Sequence, residues 1–201
     1  MNERWAEDNL QVIRTLMERT AIYRRALAPV MVMAGGVGTV AAVAGFLWRP
    51  PFVLYWASVA VLVMAAGFFL TRRQALKDGE AFWSPPARRV AQALLPGLVV
   101  AAALTVVARL SGLVEEQHLT LVWVMLYGCA LHAAGFFAPR RLRVLGWIFI
   151  IGGAALLVMV GVFKMRMPLR CAHATMGVFF GLLHLAVGGY LYATEKGSND
   201  L

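Results

Sequence analysis

An all-α integral membrane protein is what this amino-acid sequence describes, with six transmembrane helices in three tandem helical hairpins behind a cytoplasmic amphipathic helix. First, 61% of its 201 residues are hydrophobic and 14% charged, with a mean hydropathy of +0.71, far outside the range of a soluble globular domain. Second, six apolar runs lie near residues 27–48, 52–70, 91–110, 119–138, 142–163 and 172–193. Each is close to the roughly 20 helical residues that cross a hydrocarbon core of about 30 Å. Third, Ala65-Ala66-Gly67-Phe68-Phe69, followed by Arg72-Arg73, returns 68 residues later as Ala133-Ala134-Gly135-Phe136-Phe137, followed by Arg140-Arg141. An echo that ends two apolar runs is the mark of a duplicated hairpin.

Residues 1–25 form the first unit. Leu10, Ile13, Met17 and Ala21 recur at helical spacing, with Val12, Leu16 and Tyr23 widening the apolar face. Glu3, Glu7 and Asp8 come early and Arg14, Arg19, Arg24 and Arg25 late, an order that suits the helix dipole and brings the basic end to anionic headgroups. An interfacial helix is expected, with a protein partner or self-association as the alternative use of the same face. No cleavable signal peptide is expected, because a short apolar region with a cleavage site is missing and the first helix serves for targeting.

Residues 26–196 form the second unit, with hairpins over about 26–73, 88–141 and 142–196. Pro29 stands at the start of helix 1, where its missing N–H costs least, and Pro50-Pro51 forces a tight turn into helix 2. Ser84-Pro85-Pro86 separates the first hairpin from the second, and Pro139 with Arg140-Arg141 separates the second from the third. The third pair is the most diverged, with Gly188-Gly189-Tyr190 in place of Ala-Gly-Phe. Its Gly152-Gly153 follows Arg140-Arg141 at the distance by which Gly35-Gly36 follows Arg24-Arg25. Paired glycines either let membrane helices approach closely or mark helices broken at a substrate site. Trp5, Trp83, Trp123, Trp147, Tyr55 and Tyr192 suit aromatic belts at the boundaries.

Charge sets the expected orientation. Of 19 Lys and Arg, 14 fall in the N-terminal segment, the second and fourth loops and the tail, and five on the other side. The positive-inside bias therefore places both termini in the cytoplasm, with an even number of crossings. Lys164, Arg166 and Arg170 in the fifth loop run against this bias. The net charge of +9 is a membrane property here, since no soluble segment is long enough for a nucleic-acid-binding or catalytic domain. Cys129 and Cys171 differ in depth by some ten residues' rise, too far for a disulfide.

All ten acidic residues lie at 3–18, 78–80, 115–116 and 195–200, outside every apolar run. Proton- and cation-coupled transporters bury carboxylates, so that class is disfavoured. The same pattern disfavours intramembrane aspartyl and glutamate-assisted zinc chemistry, and no nucleotide-binding, serine-hydrolase or zinc-protease motif occurs. No catalytic residue is assigned.

The four histidines are the remaining polar signal. His118 and His132 are 14 apart on helix 4, and His173 and His184 are 11 apart on helix 6. Each pair shares a helix face in a regular α-helix, about 21 Å and 16.5 Å apart along the axis. An outer pair, His118 with His173, and an inner pair, His132 with His184, form a possible bis-histidine set for two b-type haems. The alternative is interfacial and structural histidines. A second constellation at the outer face gathers Met165, Met167, Cys171, His173 and Met176, with His118 as a further candidate, the soft donors and imidazoles Cu(I) prefers, although Arg166 and Arg170 oppose a bound cation.

The string Leu10-Gln11-Val12-Ile13-Arg14-Thr15-Leu16-Met17-Glu18-Arg19 and the last helix, with Gly181-Leu182-Leu183-His184-Leu185-Ala186-Val187-Gly188, resemble a group of small bacterial six-helix inner-membrane proteins with an IRxxMER-like opening and a GLHxxxG-like final helix. The resemblance implies six helices and a bacterial inner membrane, and it carries over no catalytic residue. The expectation is a non-enzymatic, homo-oligomeric membrane protein without a cofactor, acting as a channel-like, transport, membrane-stress or scaffold module. A b-type cytochrome and a copper-handling protein are the alternatives.

Overall fold

The computed structural model describes residues 27–77, 79, 85–112, 115 and 118–199; the expected amphipathic helix over 1–25 lies outside them. Among the described residues there are helices and turns and no strand. Five of the described helical spans are long and apolar enough to cross a membrane: α1 (Leu27–Trp48), α2 (Phe52–Lys77), α3 (Pro85–Ser111), α5 (Arg140–Gly161) and a composite last helix. The last helix runs from α6 (Leu169–Met176) through a π-helical segment (Gly177–Leu182) into α7 (Leu183–Asn199). A shorter apolar helix, α4 (Leu119–Ala134), has 16 residues, about 24 Å of rise.

The repeated pentapeptide takes two different structures. In its first copy it is interior helix, because α2 continues to Lys77. In its second copy α4 stops at Ala134 and Gly135 caps it, four residues short of the expected end at 138. The residues downstream of each copy account for the difference. Pro139 disfavours helical backbone in the residue before it and caps α5, whereas the first copy runs on into Leu70-Thr71-Arg72 with no proline. A side chain at Gly135 would strike the backbone of Arg143, while one at Gly67 would meet Val30 and Met33 at ordinary distances of 3.6 and 4.0 Å. Close packing thus needs only the second glycine.

The helices that begin at the Arg-rich end of the bundle all finish on a left-handed residue. Arg49 (φ 52°) follows α1, Gly112 (φ 63°) follows α3 and Lys164 (φ 53°) follows α5. Arg49 and Gly112 each donate their N–H to the carbonyl four residues back, Gly45 at 2.9 Å and Ala108 at 3.2 Å, which closes the helix end. Only Gly112 is a residue that adopts this backbone freely; arginine and lysine are held there by the turns around them.

Two antiparallel glycine seams build the bundle. Along the first, Gly35, Gly38 and Gly45 of α1 meet Gly181, Phe180 and His173 of the last helix, and Gly188 meets Val32. Along the second, Gly128 and Gly135 of α4 meet Phe149 and Arg143 of α5, Gly146 meets the His132 backbone, and Gly153 meets Val124 and Met125. Such contacts suit membrane helices, where close dispersion packing replaces the hydrophobic drive that water supplies. Both seams join helices from different expected hairpins. Of the two glycine pairs, Gly35 is packed while Gly36 is open, and Gly152 and Gly153 face different helices. α1 and α5 run unbroken through them.

α2 and α3 lie at the periphery. Of the most apolar 18 residues of each helix, α3 buries none and α2 11%, against 39% for the last helix, although Ala108 near the end of α3 does reach the core. Leu95, Val99, Val107 and Leu110 of α3 are among the exposed large side chains, a lipid-facing pattern.

Candidate functional site

Among the described residues three polar side chains are buried, Thr120, His173 and His184, and the two histidines define the candidate site. His173 lies one turn into α6, after Pro168 has started that helix, and is 0% exposed. Its ring rests on α1, where a side chain at Gly45 would collide with the imidazole. Phe52, Tyr55 and Trp56 from the first turns of α2 enclose it, with ring centroids at 5.4, 5.8 and 6.1 Å. Tyr55 donates its hydroxyl to the Ala41 carbonyl at 2.6 Å. Phe52 stacks on Trp123 of α4 at 5.5 Å, and Trp123 donates to Thr105 of α3 at 2.8 Å. One imidazole thus sits where α1, α2 and α6 meet, with α4 and α3 tied on behind.

The hydrogen bond from Trp56 Nε1 to His173 Nδ1, at 3.0 Å, sets the tautomer. An indole N–H only donates, so Nδ1 accepts and the proton of the neutral ring is on Nε2. That Nε2–H is buried without a partner. A ring in this state donates and has no lone pair for a metal; a ligating histidine usually donates its other N–H to a second acceptor. The sulfur donors expected beside it are dispersed. Met167 is buried, but Met165 is 54% exposed and Cys171 points outward, two residues from the inward His173. Among the described residues no group of three or more His, Cys, Asp or Glu gathers to hold a metal.

His184 is 2% exposed and stands just past the π-helical segment. A carbonyl only accepts, so Nδ1–H donates to Phe179 O at 3.1 Å and Nε2 accepts from the Tyr127 hydroxyl at 3.0 Å. Phe149 and Phe180 complete the enclosure, the latter stacked at 14°. The π segment adds one residue to the turn, which rotates the residues after it by about 100° relative to a regular helix. His173 and His184 therefore do not share a face, as an uninterrupted helix would have them do. His173 looks to α1 and α2, and His184 to α4 and α5.

The other two histidines have separate surroundings. His118 caps α4 with Nδ1 at 3.8 Å from Glu115. His132 packs its ring against Trp147 at 5.1 Å and Phe136 at 5.4 Å, and its Nδ1 is buried without a partner. In this arrangement neither His173 nor His184 presents a lone pair to a haem iron. The sequence offers no sign of Trp56, Tyr127 or Gly45 as partners, because each sits in an apolar run with nothing polar in register. Tyr55 and Trp123, which suit a belt by position, belong to the enclosure of His173. Comparison with protein-family models, with curated proteins and with solved structures returns no match, so a functional reading rests on this chain's own residues.

Proposed function

We propose that this chain is a multi-pass bacterial inner-membrane protein that crosses six times as three tandem hairpins, with both termini and the 1–25 helix cytoplasmic. Its role is that of a non-enzymatic, homo-oligomeric scaffold or membrane-stress module. The carrying observation is the state of the interior: each buried histidine is hydrogen-bonded to a neighbouring helix, His173 to Trp56 and His184 to Tyr127, and backbone meets backbone along both glycine seams. A core tied in this way favours a fixed body over a moving carrier. The three left-handed helix ends and the charge count support the hairpin reading, and α4 completes a sixth crossing together with its capping turn.

A proteoliposome flux assay tests the function. No flux of ions or small solutes is expected under any gradient, and sustained flux would move the protein to the transport reading. Orientation has its own test. Cys171 is exposed at the end where α1, α3 and α5 finish. A membrane-impermeant maleimide is therefore expected to label it in intact spheroplasts and to lose that signal in Cys171→Ser. Labelling that requires permeabilisation reverses the assignment.

A further inference from the structure

The arginine-rich end of the bundle carries, around the second copy of the repeat, a feature that the first copy lacks. His132 in the last turn of α4 touches Phe136 in the turn that follows, ring centroids 5.4 Å apart, and Arg143 and Trp147, four apart at the start of α5, share a helix face. The pairs meet across the antiparallel turn in two tiers. Arg143 lies over the Phe136 ring at 5.1 Å, and His132 lies against Trp147 at 5.1 Å. Phe136 and Trp147 stand at the surface, 63% and 51% exposed, and they cover the partnerless Nδ1 of a partly exposed imidazole. At the corresponding positions the first copy has Met64, Phe68, Ala75 and Gly79, so no imidazole, guanidinium or indole gathers there.

We propose that this quartet binds one anionic phospholipid of the adjoining leaflet. Guanidinium is a strong partner for a phosphate diester, and Arg143 is held in place by the Phe136 ring and by its backbone against Gly135. The second tier lies four residues deeper, about 6 Å along α5, which is the depth of the glycerol ester carbonyls beneath a headgroup phosphate. An imidazole N–H and an indole N–H at that level are donors for those carbonyls. A free phosphate has nothing to place there, so the two-tier spacing selects a lipid. Arg140 and Arg141 at the same helix start add attraction for an anionic headgroup, with Arg141 itself stacked on Tyr190 at 3.6 Å. The site requires the bundle to lie in a bilayer and is independent of the scaffold role: flux in proteoliposomes would overturn that role and leave this site standing.

Full-length protein in dodecyl maltoside, titrated with phosphatidylglycerol, is expected to unfold about 5 °C higher near saturation. Phosphatidylcholine or inorganic phosphate at the same concentration is expected to leave the midpoint unchanged. Arg143→Gln raises the phosphatidylglycerol concentration for half the shift roughly tenfold or more, and His132→Met raises it about three- to tenfold. Methionine is what the first copy carries at this place, so His132→Met keeps the helix pair and decides the matter if Arg143→Gln fails to fold. Arg72→Gln, outside the quartet, stays within about twofold of the parent. The proposal is overturned by no shift with phosphatidylglycerol, by an equal shift with phosphatidylcholine or inorganic phosphate, or by His132→Met titrating like the parent.

Discussion

Gly146→Val is expected to force α4 and α5 apart and to lower the unfolding midpoint in detergent by roughly 6 to 12 °C, the equivalent of about 3 kcal/mol. The nearest atoms to a side chain at Gly146 all belong to backbone: His132 N at 2.6 Å, Gly128 O at 2.8 Å and His132 Cα at 2.9 Å. None of these is the far end of a flexible side chain, so relief has to come from moving a helix. Gly38→Val makes the same demand on the other seam, with Phe180 O at 2.5 Å and Phe180 C at 2.9 Å. Gly36→Val and Gly189→Val are the internal controls, because nothing lies within 4 Å of a side chain at either position, and they are expected to stay within about 0.5 kcal/mol of the parent. An equal loss in Gly36→Val would mean that generic helix or detergent effects dominate, and the seams would lose their assigned role.

That contrast also marks what the sequence reveals. Gly35-Gly36 reads as one feature, yet the first residue touches the last helix and the second faces outward. Periodicity identifies a buried face by its contrast with a polar one, and the spans here are apolar nearly all round, so facing is settled only by packing. Helix positions are legible because apolar length alone determines them. The expected starts fall close to the observed ones except at α3, which begins at Pro85 ahead of the expected 91. The last helix starts at Leu169 and not at 172, because Pro168 sets its first turn. Both Ala-Ala-Gly-Phe-Phe copies read as the end of an apolar helix; α2 instead runs on to Lys77, and α4 stops inside the second copy, two residues beyond which stands a proline. The histidines are legible as candidates and their pairing is not. A regular 100° per residue puts His173 and His184 on one face, but the π segment between them has no strong sequence signature.

His184→Ala is expected to cost about 3 to 5 kcal/mol, a fall in unfolding midpoint comparable to that of the glycine variants. Two effects act together. The substitution empties a ring-sized space among Tyr127, Phe149 and Phe180. It also leaves the Tyr127 hydroxyl without its acceptor and Phe179 O without the side-chain donor it has in the parent. Tyr127→Phe removes only one hydrogen bond and leaves Nε2 unpaired, so about 1 to 2 kcal/mol is expected. The double variant separates the two effects: adding Tyr127→Phe to His184→Ala is expected to cost markedly less than Tyr127→Phe does alone, a coupling of at least about 0.5 kcal/mol. Strict additivity would remove that bond from the account. The Phe179 bond has a consequence beyond stability, because it spans the π segment and the five residues back from His184 match a π-helical step. Without it the segment is free to tighten toward regular α-helix, which turns α6 relative to α7 and draws His173 from its seat on Gly45. His184→Ala is therefore expected to raise amide hydrogen exchange over Leu169–Met176 as well as around residue 184. Exchange confined to the neighbourhood of residue 184 would show that the two caged histidines are held independently.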